Sequence, residues 1–138
     1  MSEEMKQAIA EHLELNRKAL ELLHEGLKLK KCRYPIDLTQ GYKTLLPHLT
    51  KVRRSAELLS LKAALHVENG EPGKAVDCVT DTLALADTLR SEPLLILAVV
   101  MLNCQTFACS EVDYLLNHMA LRDPPLAHLQ ALFHQASR

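Results

Sequence analysis

Apolar residues recur every three or four positions along most of this chain, which is the spacing of one face of an α-helix. The longest such pattern covers residues 47–90 and is divided once, at Asn69-Gly70-Glu71-Pro72. Gly70 suits the left-handed residue that closes a helix, and Pro72 suits the first turn of the next. A turn this short forces antiparallel packing, so the pattern predicts a central pair of long antiparallel helices. Their apolar stripes are Leu49, Val52, Ala56, Leu59, Ala63 and Val67, then Ala75, Val76, Val79, Leu83 and Ala86.

The first part of the chain predicts another helix, which runs from Ser2 to about Lys30. Its apolar stripe has nearly the seven-residue spacing of a coiled coil, with Asn16 as a polar interruption. In a two-stranded coil that Asn would fix the register; alternatively, it bonds a neighbouring helix of the same chain. The stripe is therefore either intramolecular core or a contact with a partner protein, a peptide or a second copy of this chain. The candidate interaction face consists of Leu13, Asn16, Leu20 and Leu27.

Cations gather at the end of this helix and again early in the central pair. They form a phosphate-binding surface if the two segments meet, whereas a solvated helix end is the alternative. A formal net charge of −1 and an aromatic content of 4% argue against nucleic acid as the partner. The candidate basic patch consists of Lys28, Lys31, Arg33, Arg53 and Arg54.

The segments that flank the central pair also predict helices. Asp37 or Thr39 can cap a short helix that runs through Leu46. After the pair, a helix start is expected at Ser91-Glu92-Pro93, followed by the uncharged apolar stretch 94–102. A helix buried on all sides fits this stretch best. A membrane span needs about 20 mostly apolar residues, and the polar residues that follow make this stretch too short, so no span is predicted.

The C-terminal part predicts two more helices. Ser110 and Asp113 resemble the pair of residues that caps a helix start, and that helix would run through Ala120. Asp123-Pro124-Pro125 begins the last helix. We therefore expect one all-α domain over residues 1–138, built from antiparallel helical hairpins with six or seven helices, as a bundle or an α–α superhelix.

The cysteines indicate whether the cellular compartment of this protein is reducing or oxidising. The four cysteines lie far apart and none forms a C-x-x-C pair, so buried free thiols are expected. A disulfide, whose pairing the sequence does not give, is the alternative. Free thiols favour a reducing compartment, and the first residues lack the apolar core of a secretory signal. A cytoplasmic location is the default expectation.

Seven histidines raise the question of metal binding. Glu21 and His24 stand three apart on one helix face, as in helical di-iron sites, but such sites need a second pair that the sequence lacks. The four glycines are too scattered for a phosphate-cradling loop. We therefore predict no catalytic, cofactor-binding or metal-ligating residue and no cofactor. A metal-binding or enzymatic helical bundle that uses Glu21 and His24 is the alternative.

The central pair resembles the second half of a tetratricopeptide repeat. The matching residues are Gly70, Ala75, Val79 and Leu83, with Ala63 at the small position of the preceding helix. The similarity covers about one 34-residue unit, and Thr82 and Asp87 stand where Ala and Pro are usual. The resemblance implies a tetratricopeptide-like fold and a bias towards protein binding. The leading expectation is a non-catalytic protein-interaction or assembly module.

Three further segments carry a second resemblance. They are Arg33-Tyr34-Pro35-Ile36-Asp37-Leu38, Thr44-Leu45-Leu46-Pro47-His48-Leu49 and Glu92-Pro93-Leu94-Leu95-Ile96. Together they are similar to uncharacterised bacterial helical proteins, many of which are longer and carry a membrane-spanning segment before this region. The resemblance brings no activity. It implies, as an expectation, a soluble piece of a longer protein that could be membrane-anchored.

Overall fold

The computed structural model describes residues 1–29, 31–37, 39–40, 46–90, 94–120 and 123–137. Within these ranges the chain forms six α-helices and no strand, which confirms the predicted all-α fold. The helices are α1 Glu3–Leu15, α2 Arg17–Leu27, α3 Pro47–Glu68, α4 Pro72–Asp87, α5 Leu95–His118 and α6 Asp123–Ala136. The predicted short helix before Leu46 lies mostly outside the described residues, and the predicted helix start at 91–93 lies wholly outside them.

The turn between α3 and α4 closes in the way the sequence predicts. Gly70 has a left-handed φ of +72°. The Glu71 N–H donates to the His66 carbonyl at 2.9 Å, and the Gly70 N–H donates to the Val67 carbonyl at 3.0 Å. These bonds satisfy two carbonyls that would otherwise lack a partner at the helix end. Pro72 then begins α4, where its missing N–H leaves no hydrogen bond unmade.

The prediction of one continuous N-terminal helix is wrong, because the helix is interrupted at Asn16. The Asn16 Nδ2 donates to the His12 carbonyl at 2.9 Å. That carbonyl is the acceptor that the Asn16 backbone N–H would use in an unbroken α-helix. The backbone N–H bonds the Leu13 carbonyl instead, at 3.1 Å. An Asn side chain that competes with the backbone in this way ends one helix and starts another. The second helix ends at Leu27, shortly before the predicted end at about Lys30.

The predicted helix that starts at Ser110 is wrong as well, because α5 passes through this residue without a break. The sequence has neither Gly nor Pro between residues 94 and 118, so nothing stops the helix there. Burial of α5 on all sides is also wrong: it packs against α3 and α4, and Leu95 and Leu102 remain 84% and 57% exposed. Consecutive apolar residues point to all sides of a helix. Helices α3 and α4 cover one side of α5, so the apolar residues on its other side stay exposed.

Helix α4 lies at the centre of the fold, since it packs against α2, α3, α5 and α6. Two apolar clusters meet along it. The first contains Leu13, Leu20, Val52, Ala56, Leu59, Leu85, Ala86, Leu89, Leu97 and Cys104, and the second contains Val67, Ala75, Val76, Val79, Leu83, Ala108, Leu115 and Leu129. The first cluster fixes α1 and α2 against α3 and the C-terminal end of α4, which creates the largest depression described below.

Candidate functional site

A groove of about 1050 Å³ opens between α2, the segment that follows it and the C-terminal end of α4. We call it the α2–α4 groove. Its lining residues are Leu22, Leu23, Gly26, Leu27, Leu29, Lys31, Cys32, Arg33, Tyr34, Ala84, Leu85, Asp87, Thr88 and Arg90. The groove is therefore lined by leucines and by exposed charged side chains, which we call its rim, and this is the usual composition of a binding site.

Tyr34 holds the segment after α2 against α4. Its hydroxyl lies 2.8 Å from the hydroxyl of Thr88, and its ring stacks on the ring of His48 with the centroids 4.3 Å apart. Burial raises the pKa of the Tyr34 phenol, so the hydroxyl is neutral and serves as a hydrogen-bonding group. One wall of the groove is therefore fixed by side-chain contacts with α3 and α4.

Cations outnumber anions at the rim of the groove. Arg90 Nε lies 2.7 Å from Asp87 Oδ1, so these two charges offset each other. Lys31 and Arg33 have no ion-pair partner within the described part of the chain. Two residues of the predicted basic patch thus contribute an excess of positive charge to the groove.

The remaining residues of the predicted basic patch do not line the groove. Lys28 Nζ is 2.9 Å from Glu25 on its own helix, and Arg53 Nε is 3.2 Å from Glu57 on α3. Arg54 is also on α3, and neither arginine of that helix lines the groove. Two of the five predicted residues therefore line the groove, and a phosphate-binding surface formed by all five stays a prediction.

The predicted interaction face is core in this structure. Leu13 and Leu20 are buried in the first apolar cluster, and Leu27 packs against the same cluster. Asn16 uses its side chain on its own helix rather than on a neighbour or a second copy. These leucines therefore stabilise the chain itself, which is the intramolecular alternative for this stripe.

The opposite face of the same segment is exposed, from Leu15 at the end of α1 to Leu29, two residues beyond the end of α2. Leu15, Leu22 and Leu29 follow one another at seven-residue intervals and are 86%, 62% and 71% exposed. Ala19 and Gly26 lie between them on the same face, since each precedes a leucine by three positions, and both are exposed. We call these five residues the outer seam. It borders the α2–α4 groove, to which its last three members also belong.

Glu21 and His24, the pair of the metal-binding alternative, have different partners. His24 Nδ1 lies 2.7 Å from Asp81 Oδ2, a contact that ties α2 to α4. Glu21 lies 3.2 Å from Arg17. Across the described ranges, no group of three or more His, Cys, Asp and Glu side chains is placed to hold a metal ion. The geometry at His24 is that of a link between helices.

A polar cluster that sequence reasoning missed is enclosed between α4 and α5. Thr82 and Glu111 are 0% and 4% exposed. The Thr82 Oγ1 lies 3.1 and 3.3 Å from the two carboxyl oxygens of Glu111, and it donates to the Cys78 carbonyl at 3.0 Å. Burial raises the pKa of Glu111 to about 8, and the hydrogen bond with Thr82 opposes part of that rise.

The neutral form of Glu111, which burial favours, also fits the hydrogen-bonding groups around it. A hydroxyl has a single proton, so Thr82 cannot donate to a carboxylate and to the Cys78 carbonyl at once. When the carboxyl is protonated, Glu111 donates to Thr82, and Thr82 donates to the carbonyl. Every group then has a partner, which a buried polar cluster requires.

The four cysteines are free, as expected, but two of them are exposed. Cys78 and Cys104 are buried, whereas Cys32 and Cys109 are at the surface. Burial raises the pKa of both buried thiols, to about 12 for Cys78. Since the thiolate is the nucleophilic form, the buried pair is unreactive near neutral pH.

A second exposed apolar face lies on the first half of α5. It consists of Leu95, Ile96, Val99 and Leu102. By length and composition alone, α5 is the single helix within the described ranges that could cross a membrane, and 22% of its most apolar stretch is buried. The absence of a membrane span therefore stays a prediction.

Comparison with protein-family models, with curated proteins and with solved structures gives no significant match to this chain. No relative therefore supplies a fold family or an activity. The outer seam and the α2–α4 groove are the features of this chain that bear on its function.

Proposed function

We propose that this chain is a non-catalytic protein-interaction module that binds an apolar helical face of a partner through the outer seam and the α2–α4 groove. The observation that carries the proposal is the row of three leucines at seven-residue spacing, each more than half exposed. Burying one leucine side chain stabilises a complex by about 1.5–3 kcal/mol, so an ordered row of them favours association.

The shape and charge of the groove narrow the partner. Apolar grooves bind amphipathic helices, which place side chains at i, i+3, i+4 and i+7 along one face. Lys31 and Arg33 lie at the rim without an ion-pair partner among the described residues. Acidic residues beside the apolar face of the partner would complement them and speed association. The tetratricopeptide-like pattern of α3 and α4 supports the same class of function.

A displayed library of helical peptides tests the proposal. The chain is used as bait at low concentration, and a variant with Leu22→Ser and Leu29→Ser serves for counter-selection. We expect enriched peptides to have leucines at helical spacing together with acidic flanks. Synthetic versions should bind the wild type and lose about tenfold or more in affinity for the variant, as anisotropy measures.

A matched control keeps the result specific. Leu116 is also half-exposed but lies on α5, so Leu116→Ser should leave peptide binding unchanged. If no peptide is enriched, or if enriched peptides bind the double variant as tightly as the wild type, the proposal is wrong.

A further inference from the structure

We infer that the outer seam pairs with the outer seam of a second copy of this chain, in antiparallel orientation. The inference rests on the proposed function, because it names one partner for the same surface. Two features support this pairing: the alternation of large and small residues along the seam and the charges beside the seam. The limited length of the seam sets the strength of the pairing.

The alternation of residue sizes favours antiparallel packing. In that orientation Leu22 of one copy lies against Ala19 of the other, and Leu15 lies against Gly26. Both contacts belong to one register, centred between residues 20 and 21, and a two-fold axis repeats each of them. Leucines then fill the space above small residues, as knobs fill holes. Parallel packing would place Ala19 on Ala19 and Gly26 on Gly26 and leave gaps, which interiors avoid.

The charges beside the seam fit the same register. Lys18 and Glu25 are exposed and flank the seam on one edge. Antiparallel packing places Lys18 of one copy beside Glu25 of the other, and the axis makes this pair twice. Within one copy, Lys18 has a loose contact of 3.9 Å with Glu21, and Glu25 pairs with Lys28 on the surface. Exposed pairs of this kind contribute little, so they are easily exchanged for pairs between copies.

The size of the seam sets the strength of the dimer. Helix α2 extends roughly 16 Å at 1.5 Å per residue, and Leu15 and Leu29 lie just beyond its two ends. The exposed fractions of the three leucines add up to roughly two whole side chains per copy. This surface falls short of the roughly 800 Å² per partner of a standard stable interface. The dimer is therefore weak and depends on protein concentration.

Sedimentation equilibrium of the full chain at low salt, from about 10 µM to about 1 mM, measures this association. The average mass should rise from that of one copy towards that of two. The variant Leu22→Ser should weaken the association by about tenfold or more, whereas Leu116→Ser should not change it. All of these side chains are exposed, and circular dichroism checks that each variant remains folded.

Charge reversal tests the orientation. The single variants Lys18→Glu and Glu25→Lys each place like charges beside one another and should weaken the dimer by about threefold or more. The double variant Lys18→Glu/Glu25→Lys restores both pairs and should regain the association. Parallel packing predicts no recovery, because residue 18 then lies beside the uncharged Leu23 of the other copy and gains no partner of opposite charge.

Disulfide trapping tests the register. In a background of Cys32→Ser and Cys109→Ser, chains with Ala19→Cys are mixed with chains with Leu22→Cys and oxidised. Cross-linked mixed dimers are expected from this pair and from Leu15→Cys with Gly26→Cys.

A chain that stays monomeric at about 1 mM overturns the inference, as does a double charge variant that fails to recover. Peptide binding is measured separately, on the dilute monomer. A monomer that still binds the selected peptides therefore rejects the second copy and retains the proposed function.

Discussion

Replacing Glu111 by Gln is expected to remove a pH dependence from the stability of this protein. The carboxyl is buried, and its pKa is raised from the ordinary 4.5 to about 8 in the folded chain. Between these two values the folded state holds a proton that the unfolded state has lost. The free energy of unfolding therefore falls as the pH rises through this window, by about 1.4 kcal/mol for each pH unit.

The size of the effect follows from the width of the window. The contribution of neutral Glu111 is complete below about pH 4.5, and by about pH 8 the loss is on the order of 5 kcal/mol. The other groups with a shifted pKa titrate outside this range of pH. Hydrogen bonds from Tyr114 and Lys74 lower the pKa of Glu68 and Glu71, so these carboxyls titrate below it. Burial raises the pKa of Cys78 from 9 to about 12, so this thiol titrates above it.

Glu111→Gln keeps the shape of the side chain and stays neutral at every pH. Its amide can still donate to Thr82, so near pH 5 the two proteins should differ by about 1 kcal/mol or less. Near pH 8 the variant should be more stable than the wild type by about 3–5 kcal/mol. Urea denaturation followed by circular dichroism, at several values between about pH 5 and pH 8, measures the difference. The control is Glu57→Gln, because the Glu57 carboxyl is half-exposed and pairs with Arg53 on the surface. If the free energy of unfolding depends on pH in the same way for the wild type and Glu111→Gln, the reasoning is refuted.

Three further changes test other parts of the fold. Gly70→Ala should cost about 1–2 kcal/mol in urea denaturation, because φ is +72° there while the added methyl group meets no atom within 4 Å. Leu97→Ala should lower the free energy of unfolding by about 2–5 kcal/mol, because the Leu97 side chain is fully buried. Its control is Leu95→Ala, which should change this free energy by about 0.5 kcal/mol or less, because the Leu95 side chain is 84% exposed. Asn16→Ala should free the His12 carbonyl for a backbone hydrogen bond and so join α1 to α2. Amide hydrogen exchange should then show increased protection of the N–H of residue 16. Unchanged protection at this residue would contradict this explanation of the break.

The parts of the fold that the sequence predicted well depend on local chemistry. The ends of α3 and α4 follow from Gly70 and Pro72, whose conformational preferences act within a few residues. The apolar stripe of α3 from Val52 to Val67 is the face that the fold buries. Where a single residue or a single face decides the outcome, the sequence is sufficient.

The N-terminal helices show where such reasoning fails. Leu13, Leu20 and Leu27 have the same spacing as Leu15, Leu22 and Leu29, so spacing alone does not say which row is core. The first row has apolar neighbours at Ile9 and Leu23 and so forms the wider stripe, which is the signal that identifies it as core. A partner was predicted for that row, whereas the narrower row is the one left exposed.

Contacts between distant residues were beyond the sequence. His24 meets Asp81, and Thr82 meets Glu111, only after the helices have taken their registers. Thr82 departs from the tetratricopeptide pattern, where Ala is usual, and its hydroxyl bonds the buried carboxyl of Glu111. A polar residue at a position that usually takes a small apolar one is therefore worth following to its partner.

The placement of the perturbed groups supports binding over catalysis as the proposed function. Active sites usually combine an accessible cavity with a group whose pKa is strongly shifted. Here Glu111 and Cys78 have the largest shifts, and both are buried in the core. Neither lines the α2–α4 groove or the smaller depressions of about 420 and 410 Å³. The accessible surface instead presents leucines beside cations that have no ion-pair partner among the described residues, which fits the proposed binding of another protein.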